Sequence, residues 1–413
     1  MNREKYVTHY VENAVKIVQT EISSVRKKDI IKTSARLYDG VNMGVAGALG
    51  LCDEEALFER AKESLKLKIS YPYAPADNLQ REERFESDLQ DESVLLEETA
   101  DILERLREQQ PKFSFSHIFK CSKLESSIEN DFGLKLRSCR ESISLSLVIK
   151  DKSSSNIIDA VTGYEGRKFS KKGFLDLTNM ICDAFSNQIN EFTDGTYPVV
   201  FSSDDVTYLK KFYETLHGMM FGSGSSLLSG KIGRQVFSPD FTLYQTRRAE
   251  DGFPGAFFDS EGTVNPDDRF ALIEDGVLIA PYTDKKTSST FKLPLTGAAG
   301  GEYDGLPELR LPLLKIKESE KTAKQLLNDR MGIFVLIASG GDFTPDGHFA
   351  SPVQLAFLFD GERFVGRLPE LSINSSLQEM FGRNFVGVSK NDFFGLENTK
   401  VAVMNMSVER LRK

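Results

Sequence analysis

The residues that could do chemistry in this chain are few, and their spacing argues against a metal site. A catalytic zinc ion takes three protein ligands from His, Glu, Asp or Cys, and two ligands on one helix must lie about one turn apart. The chain has four histidines, none of them close to another: His9, His117, His217 and His348. Glu214 and His217 form an E-x-x-H pair that shares one helical face, but no third ligand accompanies it. We therefore predict that this chain holds no metal, with Glu214 and His217 as the alternative pair.

Nucleophile and phosphate motifs are also missing. Ser225, Ser226 and Ser229 lie in or next to the Gly-rich stretch 221–226, which lacks both a G-x-S-x-G elbow and the Lys-Ser/Thr ending of a P-loop. A flexible loop is the favoured interpretation. The cysteines are widely spaced and contain no C-x-x-C pair: Cys52, Cys121, Cys139 and Cys182. This spacing favours reduced structural thiols over a disulfide framework or a structural zinc site.

Two Gly-rich segments, 297–301 and 339–349, are better candidates for binding a ligand. Glycine lets a ligand backbone approach closely, and a neighbouring strand edge can pair with an extended peptide. A bulged loop that closes two strands is the structural alternative for both segments. In either case we expect His348 to be a turn or cleft residue and not a metal ligand.

The segment from Ser225 to Pro239 carries a family resemblance. It resembles the segment that follows the zinc-binding helix in the TldD/PmbA family, whose TldD branch are metallopeptidases with H-E-x-x-x-H on that helix. Aligned without a gap on Ser229-Gly230, the two family histidines fall at Leu209 and Glu214, and the catalytic glutamate falls at Lys210. The resemblance therefore implies the PmbA, or TldE, branch, with a degenerate zinc helix and no catalytic residue.

The third zinc ligand of the TldD branch is missing as well. It is a cysteine in a Cys-Gly-Lys segment that would fall near residues 394–398, and no cysteine follows Cys182. The resemblance covers nearly the whole chain and is stronger from about residue 198. It includes the fragment Phe258–Gly262 and two Asp-Gly hairpins at 272–279 and 357–364.

What the resemblance implies is a non-catalytic subunit. Such a chain would pair with a zinc-bearing TldD-like metallopeptidase in the cytoplasm, and the pair would act in proteolysis or maturation of small unfolded peptides. Zinc would belong to the partner, and this chain would bind no cofactor. A segment of the active branch that helps line the peptide cleft matches these candidate substrate-binding residues: Gly340, Gly341, Phe343, Pro345, Gly347 and His348.

Two other functions stay open at this point. One is a stand-alone homodimeric peptide-binding or scaffold protein, because two-fold self-association is the commonest assembly. The other is an independent hydrolase with an unrecognised site, for which no nucleophile–base or metal constellation is present.

Composition limits the partners. The chain has 413 residues, 40% of them hydrophobic, which is enough for a substantial core and two domains. A formal net charge of −9 disfavours nucleic acid as a partner, so the family's older label, modulator of DNA gyrase, does not imply DNA binding. No apolar run reaches the roughly 20 residues that span a bilayer, and the start lacks a signal-peptide core, so we expect no membrane association and a cytoplasmic location.

Hydrophobic periodicity predicts the elements. In the first half we expect an amphipathic helix over 4–22, a hairpin over 34–50 around Asp39-Gly40, and helices over 53–66, 95–106 and 173–192. The alternation of Ser with apolar residues over 142–149 predicts a half-buried strand. The acidic stretch 82–98 is expected to be mainly a solvated face, with a docking surface for a basic partner as the alternative.

These elements add up to an α+β fold. We predict an N-terminal domain of sheet plus helices over residues 1–195. The C-terminal domain over 196–413 should be mainly antiparallel β, as a bent sheet or barrel, because Gly and Pro turns separate short apolar runs there.

Overall fold

A computed structural model describes residues 1–89, 91–203, 205–393 and 395–411. The elements up to residue 186 are, in chain order, β1 (Asn2–Val18), β2 (Glu21–Tyr38), β3 (Met43–Leu49), α1 (Glu54–Leu65), β4 (Gln80–Phe85), α2 (Glu92–Gln109), β5 (Phe113–Asn130), β6 (Lys135–Asp151), β7 (Ala160–Gly166) and α3 (Lys171–Ser186). The strands of this half form one sheet in the order β3-β2-β1-β5-β6, and β4 and β7 both pair with the outer edge of β6. At about 3.3 Å per residue, each of the four long strands extends for roughly 55 Å.

The second half is built mostly of strands, as predicted. Its elements are β8 (Gly195–Ser202), α4 (Lys210–Thr215), α5 (Gly218–Gly222), β9 (Leu243–Thr246), β10 (Arg269–Glu274), β11 (Val277–Leu278), α6 (Lys285–Phe291), β12 (Ala299–Gly300), β13 (Glu308–Leu309), β14 (Leu313–Ile316), α7 (Ala323–Leu327), β15 (Gly332–Ala338), β16 (Asp342–Phe343), β17 (His348–Phe359), β18 (Phe364–Arg367), β19 (Leu371–Ser376), α8 (Leu377–Phe381), β20 (Phe385–Val388) and β21 (Val401–Arg410). Two 3-10 turns, Ala249–Asp251 and Pro266–Asp268, lie between β9 and β10.

The main sheet of the second half closes on itself. Its strands pair in the order β15-β8-β21-β19-β17, and β15 also pairs with β17, which completes a barrel. Val199, Ile333 and Met404 come from one face of their strands and share a single apolar core with α4 and α8. The predicted α+β fold with a barrel-like C-terminal half is therefore confirmed, whereas the division into domains at residue 195 stays a prediction.

Helix α3 joins the long sheet to the barrel. Phe174 and Ile181 are buried in a core that also contains Phe119 of β5 and Phe357 of β17. Apolar residues recur on more than one side of α3 because the helix packs against both layers. One core thus spans the two halves of the molecule.

The predicted helix over residues 4–22 is wrong, because the segment forms β1, the turn at Gln19-Thr20 and the first residues of β2. Residues such as Tyr6, Val7 and Val11 favour strands, and β1 is paired along nearly its whole length on both sides. Gln19 and Thr20 both have positive φ, as in the tight turns of hairpins, but they are not the Gly or Asn that would signal such a turn.

Other local predictions are confirmed. Asp39 closes the hairpin between β2 and β3 by accepting from the Val41 and Asn42 N–H groups, at 2.9 and 2.7 Å. Asp53 caps α1 by accepting from the Ala56 N–H at 3.0 Å. The acidic stretch is mainly solvated, as expected, although the Glu83 side chain of β4 is only 9% exposed and forms an ion pair with Arg140 at 2.6 Å.

Candidate functional site

The three positions matched to the zinc helix lie at the start and end of α4 and point to different surroundings. Leu209 is 2% exposed and packs in the barrel core with Phe212. Lys210 extends to the surface and forms an ion pair with Asp342 of β16 at 2.5 Å. Glu214 accepts from the buried Lys211 ammonium, with both carboxylate oxygens 2.7 Å away. The arrangement therefore offers one carboxylate, which is already neutralised, where a zinc ion needs three ligands.

The alternative pair, Glu214 and His217, does not act as a unit. His217 packs edge-on against Tyr282 with ring centroids 5.4 Å apart, and its Nδ1 is buried without a hydrogen-bond partner. Burial lowers the pKa of His217, and the nearby Asp284 carboxylate opposes that shift. Among the described residues, no group of three His, Cys, Asp or Glu side chains is placed to hold a metal.

The C-terminal position of the third ligand holds a structural carboxylate. Glu397 accepts hydrogen bonds from the backbone N–H groups of Arg167 and Lys168, at 2.8 and 3.0 Å. It fastens the loop before β21 to the loop after β7. Phe394, at the start of the matched segment, lies outside the described residues.

The predicted substrate-binding residues lie together on the short hairpin of β16 and β17 and its flanks. Asp342 pairs with Ala350 and Phe343 pairs with Phe349, whose rings are 4.7 Å apart. Gly340 and Gly347 have φ of 85° and 90°, a region that favours glycine. Gly341 lies so close to Ser351 that an added Cβ would come within 2.2 Å of the Ser351 Cβ. Pro345 and His348 are exposed at the tip, so the hairpin presents polar and aromatic groups to solvent.

Lys210 links the zinc-helix position to this hairpin. The hydrogen bond from Lys210, helped by one from the Phe343 N–H, lowers the pKa of Asp342 below its usual range. Strand β16 pairs with β17 on one side and is a terminal strand of its sheet. The ion pair therefore joins the start of α4 to this strand edge.

The sequence did not reveal a large groove in the described part of the chain. It measures about 1380 Å³ and lies between the loop after β6 and the barrel, lined by Ile157, Ile158, residues 336–338, Arg367 and Arg410. The Ile157 side chain is 91% exposed, which is unusual for an isoleucine. Two adjacent isoleucines in a polar loop were the available signal. Residues 336–338 run directly into the Gly-rich hairpin, so the groove and the hairpin are neighbours.

The fold and the site define a mixed α+β protein with a barrel-like second half, in which no group of described residues is placed to hold a metal. The chain belongs to the PmbA/TldD family: residues 194–410 match the family model described as the PmbA/TldA metallopeptidase C-terminal domain. A comparison with curated protein sequences gives no match.

Solved structures show the same fold over the full length. TldE from Thermococcus kodakarensis superposes with a TM-score of 0.82 at 18% identity, covering 98% of this chain and 96% of that one. A protein named as a modulator of DNA gyrase from Thermotoga maritima gives 0.74 at 16% identity, with 99% and 96% covered. Its namesake from Bacteroides thetaiotaomicron gives 0.75 at 14% identity, with 99% and 94% covered. At these identities the likeness is one of fold.

Among the described residues, no helix is long and apolar enough to cross a membrane.

Proposed function

We propose that this chain is a non-catalytic subunit of a cytoplasmic zinc metallopeptidase, paired with a TldD-like chain that holds the metal. The proposal rests on the surroundings of three side chains. Leu209 lies in the barrel core, Lys210 forms a surface ion pair, and the Glu214 carboxylate is neutralised by Lys211. The proposed reaction is proteolysis or maturation of small unfolded peptides, and membership in a family whose model is described as a metallopeptidase domain supports it. Zinc and the attacking water belong to the partner.

The peptide contacts of this subunit are proposed at the β16 edge. An extended peptide can pair with a strand edge through its backbone, which suits unfolded substrates of varied sequence. Gly340, Gly341 and Gly347 allow close approach, and Phe343, Pro345 and His348 supply side-chain contacts. Lys210 keeps the edge in place through Asp342.

The test is zinc content and peptide cleavage, measured on the purified chain alone and after co-expression with a TldD homologue of the same genome. We expect no metal in the isolated chain, one zinc per pair, and cleavage of labelled casein by the pair only. Stoichiometric zinc with cleavage in the isolated chain, lost on changing Glu214 or His217 to alanine, would establish the independent hydrolase instead.

A second measurement addresses the peptide contacts. In the assembled pair, Phe343→Ala and His348→Ala should raise KM several-fold and leave zinc content unchanged, because they touch substrate and not the metal. Glu362→Ala, on the exposed hairpin at 360–363, is the matched control and should leave KM unchanged. Equal KM values in all three variants would mean that the hairpin does not contact the substrate.

A further inference from the structure

The outer edge of β2 is an open strand edge on the far side of the long sheet from β4. Strand β2 pairs with β1 along its whole length, but its other side pairs with β3 only from Lys32 to Tyr38. Beyond that point the Gly50 N–H bonds to the Ile31 carbonyl at 2.8 Å, and the chain then turns away into α1. The segment from Glu21 to Asp29 therefore borders solvent.

The direction of the free backbone groups follows from the hydrogen bond between the Gly50 N–H and the Ile31 carbonyl. In a strand, N–H and C=O groups of alternate residues point to the same side. Since the Ile31 carbonyl points away from β1, the groups of Val25, Lys27 and Asp29 do so too. Within the described part of the chain these groups have no backbone partner. They offer three donors and three acceptors along about 13 Å of strand.

The side chains around this edge combine apolar surface with positive charge. Val25 and Ile30 are 42% and 38% exposed on opposite faces of the sheet, and Leu51, which follows the Gly50 that bonds to Ile31, is 93% exposed. Arg26 and Lys28 both contact the buried Glu12 carboxylate, at 3.2 and 2.9 Å. The charge of Lys120 also acts on Glu12, so three cations share this one carboxylate and positive charge is in excess on the face that carries Arg26 and Lys28.

We propose that this edge binds an extended acidic segment of another protein as an added β-strand. The backbone groups of Val25, Lys27 and Asp29 would bond the added strand, and Val25, Ile30 and Leu51 would lose exposed apolar area on both faces. Arg26 and Lys28, which share one face of the sheet, select carboxylates at alternate positions of the added strand, since opposite charges across a strand pair stabilise it.

A second copy of this chain is a poor occupant of the edge. Antiparallel pairing about a two-fold axis in the middle of the run would set Arg26, Lys27 and Lys28 against the same three cations, and like charges on facing strands destabilise the pair. Lysines on an open edge are also a known protection against self-pairing. The inference does not depend on the proposed peptidase role.

The test uses the full chain and two fluorescein-labelled probes, a peptide of five Thr-Glu repeats and one of five Thr-Lys repeats. Anisotropy should detect binding of the acidic probe only, and hydrogen exchange should slow at the amides of Val25, Lys27 and Asp29. Lys28→Glu should weaken the acidic probe about fivefold and favour the basic one, in line with pair energies below about 1 kcal/mol.

Val25→Pro isolates the backbone contribution. Because the Val25 N–H points outward, proline removes an edge donor without removing a bond to β1, and an edge strand tolerates it there. We expect about tenfold weaker binding, from one lost hydrogen bond and the bulk of the ring. Val25→Ala, which keeps the donor, is the matched control and should bind nearly as the wild type does.

Three results would overturn the proposal. They are absence of binding of the acidic probe at millimolar concentration, equal binding of both probes, and unchanged affinity in Val25→Pro. Sedimentation that shows self-association abolished by Val25→Pro would assign the edge to a second copy instead.

Discussion

At the scale of single residues, α4 begins with two adjacent lysines, Lys210 and Lys211, in different surroundings. Lys210 turns outward to Asp342, and Lys211 lies 2% exposed with its ammonium on Glu214. A buried lysine is tolerated when its charge is paired and its methylene stem packs against apolar neighbours. The helix therefore keeps a carboxylate, Glu214, only as the counter-ion of a structural lysine.

Leu209→His tests whether this position can return to a ligand role. The change removes apolar burial in the barrel core and buries an imidazole without a partner, so we expect a loss of about 2–4 kcal/mol in the free energy of unfolding. Lys210→Glu, which alters only an exposed ion pair, should change stability by less than about 1 kcal/mol. Urea denaturation measures both. Unchanged stability together with zinc uptake in Leu209→His would contradict this account.

At the scale of elements, short-range signals were predictable and long-range pairing was not. Asp53 marked the start of α1, and Asp39-Gly40 marked a hairpin, because caps and turns depend on neighbouring residues. Strand β1 was missed because its partner in β5 lies more than a hundred residues away. The absence of an H-E-x-x-x-H motif is plain in the sequence, whereas the groove beside Ile157 depends on loops that meet only in the fold.

Gly341→Ala tests the packing of β16 on β17. The new Cβ would lie 2.2 Å from the Ser351 Cβ and 2.4 Å from its Cα, so the hairpin must shift. We expect the free energy of unfolding to fall by about 1–3 kcal/mol and the Phe343 amide to exchange its hydrogen faster. Gly305→Ala is the matched control, since its nearest neighbour would be 3.7 Å away. If both variants exchange alike, the close contact at Gly341 does not hold the edge.

Phe174→Ala tests α3 as the joint between sheet and barrel. Phe174 is fully buried in the core that both layers share, so truncation should lower the free energy of unfolding by about 3–5 kcal/mol. Lys172→Ala on the exposed side of the same helix should cost less than about 0.5 kcal/mol. Chemical denaturation of the two variants compares them directly. A small effect of Phe174→Ala would mean that the halves are held together elsewhere.

At the scale of the whole molecule, a buried polar cluster joins the long sheet to the second half. Arg36 of β2 is ion-paired with Glu4 of β1 at 3.1 Å and donates to the Ser260 carbonyl at 2.5 Å. Tyr71 donates to the Glu261 carboxylate, which also accepts from the Lys285 N–H at 2.9 Å. Buried polar groups of this kind are costly unless they are satisfied, so the cluster fixes how the layers meet.

Glu261 makes that junction sensitive to pH. Burial, reinforced by the nearby Asp259 charge, raises the pKa of Glu261 to about 7. At low pH the carboxyl is protonated in both folded and unfolded chains. As pH rises from its ordinary value of 4.5 towards 7, the unfolded chain releases the proton first, so stability falls through this window by an amount on the order of 3 kcal/mol.

Glu261→Gln should remove this loss, because the amide imitates the protonated carboxyl at every pH. We expect the free energy of unfolding to fall less between pH 5 and pH 8 in the variant than in the wild type, as measured by urea denaturation at each pH. Glu362→Gln, on an exposed hairpin, should keep the wild-type slope. If the stability of Glu261→Gln changes with pH as steeply as that of the wild type, Glu261 is ionised in the folded protein. The junction is then held by a charged carboxylate and not by a protonated carboxyl.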